Sequence, residues 1–364
     1  MAGGTRAASP LADLPVAAFD YPLPAARIAQ RPVEPRDASR LLHMRADRGL
    51  EDRGFAELPE LLAPGDLLVV NDTRVRAARL LGRRPGGGAA EILVTTRMPD
   101  GRYACLVRPA RRLPPQTRVE VGEGLAAVVG EPCGAHPGAR TVHFEAQGGD
   151  VDAAIEACGT VPLPPYIRER LGDPGRYQTL FSRRTPPESA AAPTAGLHFT
   201  PVVLDALGTR GVALATVRLE VGVATFTPIR SATIGAHVMH DEAFELPRAT
   251  AAAIDEARTR GGRVIAVGTT TARVLETMAT GAHEVNPGRG VTRLYLRPGM
   301  PIRCIDGLLT NFHQPRSSLL VLLAAVTGDA AWRGAYDHAL AAGYRFLSFG
   351  DCMLCWSGRA SPLP

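Results

Sequence analysis

The sequence contains no lysine, so all 41 basic residues are arginine. That absence excludes chemistry built on an amine side chain, such as Schiff bases, covalent pyridoxal phosphate or the lysine of a phosphate-binding P-loop. Long apolar runs are also lacking. The longest, Leu319 to Val326, is far short of the roughly 20 residues that span a bilayer. The six cysteines, at 105, 133, 158, 304, 352 and 355, form no disulfide framework, which points to a reducing, cytoplasmic setting. The single CxxC, Cys352 and Cys355, lacks the second pair or histidine partners of a zinc site, so no metal is expected there. No basic-then-apolar signal pattern opens the chain. Residues 1 to about 15 are small and proline-rich and read as a loose leader.

What is present fits a folded protein. Hydrophobic residues make up 45% and charged residues 21% of 364, a globular rather than a disordered profile with room for two domains. The net charge of +5 tolerates a polyanionic partner without demanding one. Guanidinium groups suit phosphates and stack on bases.

Three zones follow along the chain. The first, 1–70, ends in the strand-like Asp66-Leu-Leu-Val-Val70. The second, 71–150, holds short alternating runs broken by Gly and Pro, such as Glu91-Ile-Leu-Val-Thr, Tyr103-Ala-Cys-Leu-Val, Arg118-Val-Glu-Val and Arg140-Thr-Val-His-Phe. Runs so spaced, without helix between them, predict a small antiparallel barrel or sandwich. The third, 151–364, alternates helix and strand. A helix over 249–260 leads to the buried strand Arg263–Val267, the turn Gly268-Thr-Thr-Thr271 and a helix from Ala272 to Ala279. Strands are predicted near 292–297 and 302–310, helices near 317–326 and 331–342, and a strand over Tyr344–Ser348. This is the grammar of an α/β sheet.

Polar clusters at predicted strand ends mark where a ligand would bind in such a sheet. Gly268-Thr-Thr-Thr271 offers backbone N–H groups and hydroxyls to an anion, and reads equally as helix capping. His198 lies in the polar segment Pro193–Thr200, as a structural histidine or a catalyst. His237-Val-Met-His240-Asp-Glu242 packs imidazoles and carboxylates into an acid–base or metal-type cluster. Asn311-Phe-His-Gln-Pro315 puts His313 directly after an apolar strand. Val70-Asn-Asp-Thr-Arg74 reads as a turn. Arg74, Arg79, Arg108, Arg111 and Arg112 are candidates for phosphates or simply solvated surface.

Taken together and in order, the segments resemble one family, the S-adenosylmethionine:tRNA ribosyltransferase-isomerases of queuosine biosynthesis. The resemblance runs over about residues 18–354. It is carried by Phe19-Asp-Tyr-Pro-Leu-Pro, Arg36-Asp-Ala-Ser-Arg-Leu-Leu42, Asn71-Asp-Thr-Arg-Val75, Leu106-Val-Arg-Pro-Ala-Arg-Arg-Leu113, Val161-Pro-Leu-Pro-Pro-Tyr-Ile167, Arg176-Tyr-Gln-Thr179 and Ala192-Pro-Thr-Ala-Gly-Leu-His-Phe199. It continues through His237–Glu242, Gly268-Thr-Thr-Thr-Ala-Arg273, Asp306-Gly-Leu-Leu-Thr-Asn-Phe-His313 and Tyr344-Arg-Phe-Leu-Ser-Phe-Gly-Asp351. The fold it implies is a mixed-sheet α/β domain with an inserted small antiparallel β-barrel. The activity it implies is transfer and isomerisation of the ribosyl moiety of S-adenosylmethionine onto 7-aminomethyl-7-deazaguanine at the tRNA wobble position. Epoxyqueuosine is the product, and adenine and methionine are released. S-adenosylmethionine is then a cosubstrate, with no permanently bound cofactor, and the protein is expected to act as a cytoplasmic monomer without membrane contact.

Such chemistry needs a base to remove a ribose C5′ proton acidified by the sulfonium, and an acid helps adenine leave. On the resemblance, His198, His240 and His313 are candidate acid–base groups and Glu242 a carboxylate that orients one of them. Thr269, Thr270 and Arg273 are candidates for the methionine carboxylate. Asp306, Asn311 and Asp351 are candidates for ribose hydroxyls or base edges, and Arg74, Arg79, Arg108 and Arg111 for tRNA phosphates. The chain departs from the family pattern at Glu220 (usually His), Ala224 (usually Gly), Gln314 (usually Leu) and Cys352 (usually Ala). Glu220 and the missing lysines motivate an alternative, a paralogue using the same donor on a free small molecule. A non-catalytic RNA-binding module is a further alternative.

Overall fold

Five consecutive residues, Leu67 to Asn71, are buried along their whole length, the mark of a strand covered on both faces. It is the third strand of a computed structural model that describes residues 14–122, 124–134, 138–182, 189–222, 225 and 227–358. The strands before and including it are β1 (Arg40–Met44), β2 (Leu50–Gly54) and β3 (Leu67–Asn71). Next come β4 (Arg79–Arg83), β5 (Ala89–Arg97), β6 (Tyr103–Arg108), β7 (Arg118–Gly122), β8 (Leu125–Pro132), β9 (Ala139–Ala146) and helix α1 (Val151–Cys158). Helix α2 (Pro201–Thr209), β10 (Ala213–Leu219), β11 (Glu242–Leu246), α3 (Arg248–Thr259), β12 (Val264–Val267) and α4 (Thr269–Met278) follow. The described elements end with β13 (Gly288–Thr292), β14 (Gly307–Asn311), α5 (Ser318–Thr327), α6 (Asp329–Ala341) and β15 (Cys352–Trp356).

The chain divides into two units, one of residues 1–73, 164–184 and 192–364, the other of 74–163 and 185–191. In the first, nine strands form one sheet in the order β13-β11-β10-β3-β12-β14-β15-β1-β2. Its centre is parallel from β10 through β3 and β12 to β14, and β15 then runs antiparallel to β14. The carboxyl ends of four neighbouring strands therefore lie along one edge, with the start of β15 beside them. The second unit is a closed barrel, β4-β5-β6-β9-β8-β7, filled by Leu80, Ile92, Val107, Val119, Val129 and Phe144. Closure leaves no free sheet edge. This unit extends past the expected boundary at 150 because α1 packs on β8 and β9, with Ile155 in the barrel core.

Two expectations fail for identifiable reasons. Residues 302–306 precede β14 instead of belonging to it, because the Glu276 carboxylate accepts the N–H groups of Arg303 (2.7 Å), Cys304 (2.9 Å) and Ile305 (3.0 Å). A side chain thus satisfies donors that a ladder would otherwise take. Tyr344–Ser348 keeps only an isolated parallel bridge, from Phe346 to Ile28; Leu347 has φ 71°, and Asp351 accepts the N–H of Arg345 at 2.8 Å. The terminal strand is instead β15, which contains the CxxC. Cys352 and Cys355 are three apart in a strand, so their side chains point to opposite faces. Both are fully buried, and burial pushes the Cys355 thiol up to about 12. Among the described residues, no helix is long and apolar enough to cross a membrane.

Candidate active site

Strand β12 ends in Val267, and Gly268 then turns the chain sharply into α4 with φ 88°, a conformation that glycine alone adopts freely. The turn brings Thr269 and Thr270 to the first turn of α4. Strand β14 ends at Asn311 and continues through Phe312, His313 and Gln314 to Ser317, whose hydroxyl caps α5 by accepting from Leu320 N–H at 3.2 Å. These two strand-to-helix turns, the 192–195 segment, Val221, Thr225 and Tyr166, with Leu347 and Ser348, line a narrow cavity. It lies at the carboxyl ends of the parallel strands, where such sheets bind ligands.

No Asp, Glu or Arg lines the cavity among the described residues. Hydroxyls dominate instead, from Tyr166, Thr194, Thr225, Thr269, Thr270, Thr310, Ser317 and Ser348, with the amides of Asn311 and Gln314 and one imidazole, His313. His313 is held from three sides. Its N–H donates to the Tyr336 hydroxyl (2.8 Å), its carbonyl accepts from the Tyr21 hydroxyl (2.5 Å), and its Nε2 lies 3.0 Å from Thr310 Oγ1. Burial holds its pKa down, to about 3, so the ring is neutral.

The other candidates are distributed differently. His198 is buried behind the cavity wall, stacked on Phe55 at 5.1 Å between ring centroids. Its Nδ1 meets Ser39 Oγ at 2.7 Å and its Nε2 accepts from Asn311 Nδ2 at 3.0 Å. Burial first, then the charges of Arg345 and Arg36, lower its pKa to about 3. Asn311 also accepts from Thr194 Oγ1 at 2.8 Å and donates to the Asp351 carbonyl at 3.4 Å. His198 therefore fixes which way the Asn311 amide points. His240 is exposed just before β11 and is not in the lining.

Four of the candidates have partners within the fold. Glu242 and Arg273 form a buried ion pair with each other. Glu242 accepts from Gly222 N–H at 3.2 Å, and Arg273 Nε donates to the Leu294 carbonyl at 2.9 Å; neither side chain lines the cavity. Burial lowers the Arg273 pKa to about 10, so it stays charged at neutral pH. Asp306 sits at the opposite end of β14, where its carboxylate is engaged by Arg258 and by Val264 N–H at 2.7 Å. Asp351 accepts the N–H groups of Arg40 (3.0 Å) and Arg345 (2.8 Å). It shapes the turn carrying Leu347 and Ser348 and does not face the cavity. On the barrel unit, Arg79 pairs with Glu91 at 2.6 Å and Arg74 with Glu156 at 3.7 Å. Arg108 and Arg111 are exposed.

Glu220 is half-buried and alternates with Leu219 and Val221, and only Val221 lines the cavity. Ala224 lies outside the described residues. Sequence reasoning missed Tyr166, Thr194 and Ser348 as lining residues. Tyr166 follows a proline-rich segment that carries no strand-end signal, and Ser348 was hidden by the expected strand. Asn71, read as a turn residue, ties β3 to β10 and α4: its amide donates to Leu219 O (3.0 Å) and Thr270 Oγ1 (3.3 Å).

The two buried neutral imidazoles make stability depend on pH. Their folded-state values lie near 3, below the ordinary value of about 6.5. The unfolded chain therefore binds protons that the folded chain refuses, and stability is full above pH 6.5 and lost as pH falls toward 3. Urea unfolding is expected to show a loss of about 2 kcal/mol per histidine between pH 7.5 and pH 5. His198→Asn and His313→Asn should each remove one share of that loss. An unchanged pH dependence in both variants would contradict the assignment.

Three comparisons bear on this site. The model of a family described as "Queuosine biosynthesis protein" matches residues 16–355. The S-adenosylmethionine:tRNA ribosyltransferase-isomerase of Moorella thermoacetica is 49% identical over 340 residues, 92% of this chain and 98% of the relative. The protein of the same name from Heliobacterium modesticaldum is 50% identical over 346 residues, 93% of this chain and 99% of the relative. A crystal structure of an S-adenosylmethionine tRNA ribosyltransferase from Thermotoga maritima matches with a TM-score of 0.53 at 37% identity, covering 93% of this chain and 99% of that one.

Proposed function

The chain belongs to the queuosine biosynthesis protein family, and from that membership we infer that it is an S-adenosylmethionine:tRNA ribosyltransferase-isomerase. It moves the ribosyl group of S-adenosylmethionine onto 7-aminomethyl-7-deazaguanine at the tRNA wobble position, giving epoxyqueuosine and releasing adenine and methionine. The observation that carries the site assignment is the lining of the cavity: His313 is its one imidazole among the described residues.

In this reading His313 removes the C5′ proton of the donor. With Nε2–H donated to Thr310 Oγ1, Nδ1 carries the lone pair that takes the proton. The imidazolium is costly to form in a buried site. That cost is offset because the same transfer leaves negative charge on the adjacent donor carbon, and opposite charges attract strongly at low dielectric. The donor's carboxylate finds no arginine in the lining among the described residues. It binds instead at the first turn of α4, where Thr269, Thr270 and unpaired backbone N–H groups meet the positive end of the helix dipole. Asn311, held by His198, presents a fixed edge to the donor. Arg108 and Arg111 take tRNA phosphates, with Arg74 and Arg79 contributing if their carboxylate partners are displaced. The enzyme works as a monomer in the cytoplasm, where tRNA is found.

The test is a turnover assay with purified protein and S-adenosylmethionine, in one arm with tRNA bearing 7-aminomethyl-7-deazaguanine and in the other with the free base. Adenine release and an epoxyqueuosine mass at the wobble nucleoside are expected only with tRNA, with a rate that falls as salt rises. Release with the free base alone would move the function to the small-molecule paralogue. Glu220→His is expected to change the tRNA rate by no more than about twofold, since the side chain alternates away from the cavity.

A further inference from the structure

We propose that Arg168, Arg170 and Arg230 form a phosphate-binding rim beside the cavity, one that takes the RNA backbone on either side of the wobble nucleotide; the inference rests on the tRNA acceptor assigned above. Arg168 and Arg170 follow closely on Tyr166, which lines the cavity. Gln30 clamps the backbone there: its amide donates to the Tyr166 carbonyl at 3.0 Å and accepts the Arg168 N–H at 2.8 Å. Arg230 stands at a second piece of the lining. Its neighbour Ile229 donates its N–H to the Arg316 carbonyl at 2.9 Å, and Arg316 lies between the lining residues Gln314 and Ser317. All three arginines are exposed. They belong to the same unit as the cavity, so their place beside it does not depend on the barrel.

Charge says what this rim fits. The carboxylates along the same segments are already matched: Glu169 pairs with Arg31, Asp20 accepts from Arg316 Nε at 2.9 Å, and Asp351 accepts the backbone N–H groups of Arg40 and Arg345. The guanidinium groups of Arg168, Arg170 and Arg230 have no carboxylate partner among the described residues. A guanidinium stays protonated in proteins, so the rim keeps a surplus of permanent positive charge. The cavity beside it has no Asp, Glu or Arg in its lining among the described residues, and its one imidazole is neutral. Such a lining suits a base and not the phosphates attached to it. An enzyme that does chemistry on a base takes that base out of the stack and into its pocket. The phosphates on either side of the nucleotide then stay outside, beside the cavity. Guanidinium forks with no carboxylate of their own meet phosphates there with charge-assisted hydrogen bonds. A free base carries no phosphate and would leave all three arginines unused.

The experiment measures turnover across a range of salt. Arg168→Gln, Arg170→Gln and Arg230→Gln are assayed with S-adenosylmethionine and tRNA bearing 7-aminomethyl-7-deazaguanine. Each variant is expected to raise the KM for that tRNA by about tenfold at low salt, the worth of one charge-assisted hydrogen bond. The slope of log kcat/KM against log salt should become shallower by about 0.7 for each arginine lost, as when one fewer counterion leaves a single strand. The KM for S-adenosylmethionine should stay at the wild-type value, a split that general damage to the fold would not give. Arg260→Gln is the control. Arg260 follows α3 and precedes β12, at the opposite end of the sheet, where it pairs with Glu256, and its loss should move neither KM nor slope. Wild-type salt slopes in all three rim variants, or a KM for S-adenosylmethionine that rises as much as that for tRNA, would overturn the rim while leaving the acceptor reading intact. Turnover of the free base alone by the wild-type protein would sink the acceptor reading and the inference with it.

Discussion

Replacing His313 with alanine is expected to lower kcat by roughly a hundred- to ten-thousand-fold, the usual contribution of a positioned base, with little change in the KM for S-adenosylmethionine. The same variant should stop exchange of the donor's C5′ protons with deuterium from solvent, a reading specific to proton removal. His240→Ala should stay within about threefold of the wild type, because His240 is exposed and outside the lining. His198→Gln should fall between, acting through Asn311 and not on the proton. The pH profile adds a second check. Burial holds His313 neutral, with its pKa near 3. The rate should therefore not fall between pH 8 and 6, where a base with the ordinary value of about 6.5 would begin to be protonated. Wild-type exchange in His313→Ala, or a loss in His240→Ala equal to that expected of His313, would show that the base lies elsewhere.

The second large effect is on stability. Glu242→Ala is expected to destabilise the protein by about 3–5 kcal/mol, the cost of stranding one charge of a buried pair. Arg273 would be left with its charge in the interior, where its Nη2 already has no hydrogen-bond partner among the described residues. The double variant Glu242→Leu with Arg273→Met should recover most of the loss, since apolar replacement of a whole buried pair is often neutral or favourable. Urea unfolding measures both. Turnover in the recovered double variant then separates two roles. If the pair only braces α4 against β11, activity returns with stability. If stability returns and turnover does not, one of the two side chains meets the donor directly.

Much of the fold was legible because it rests on local pattern. The fully apolar Leu67–Val70 and Val264–Val267 could only be covered strands, and the glycine-broken alternation of residues 79–146 could only be an antiparallel unit. The turns at Gly268 and Asn311 were visible as polar residues after apolar strands, and both reach the cavity. Errors arose where a side chain took over a backbone group. Glu276 diverts the N–H groups of residues 303–305, and Asp351 takes the N–H of Arg345, so that 344–348 keeps a single bridge. Neither bond leaves a periodic trace in the sequence.

The candidate site divides the same way. Residue types by themselves excluded lysine chemistry and left arginine as the only permanent cation, while the need for a neutral base came from the family resemblance. They also determined which segments end strands. They could not rank three histidines, since rank depends on what each ring touches. Only the tertiary structure put His313 in the cavity, His198 behind Asn311 and His240 on the surface. It also gave Glu242, Arg273, Asp306 and Asp351 their partners within the fold. The physical reason is that the sequence states which groups are available, whereas burial and the nearest partner decide whether a charge is spent inside the fold or left for a substrate.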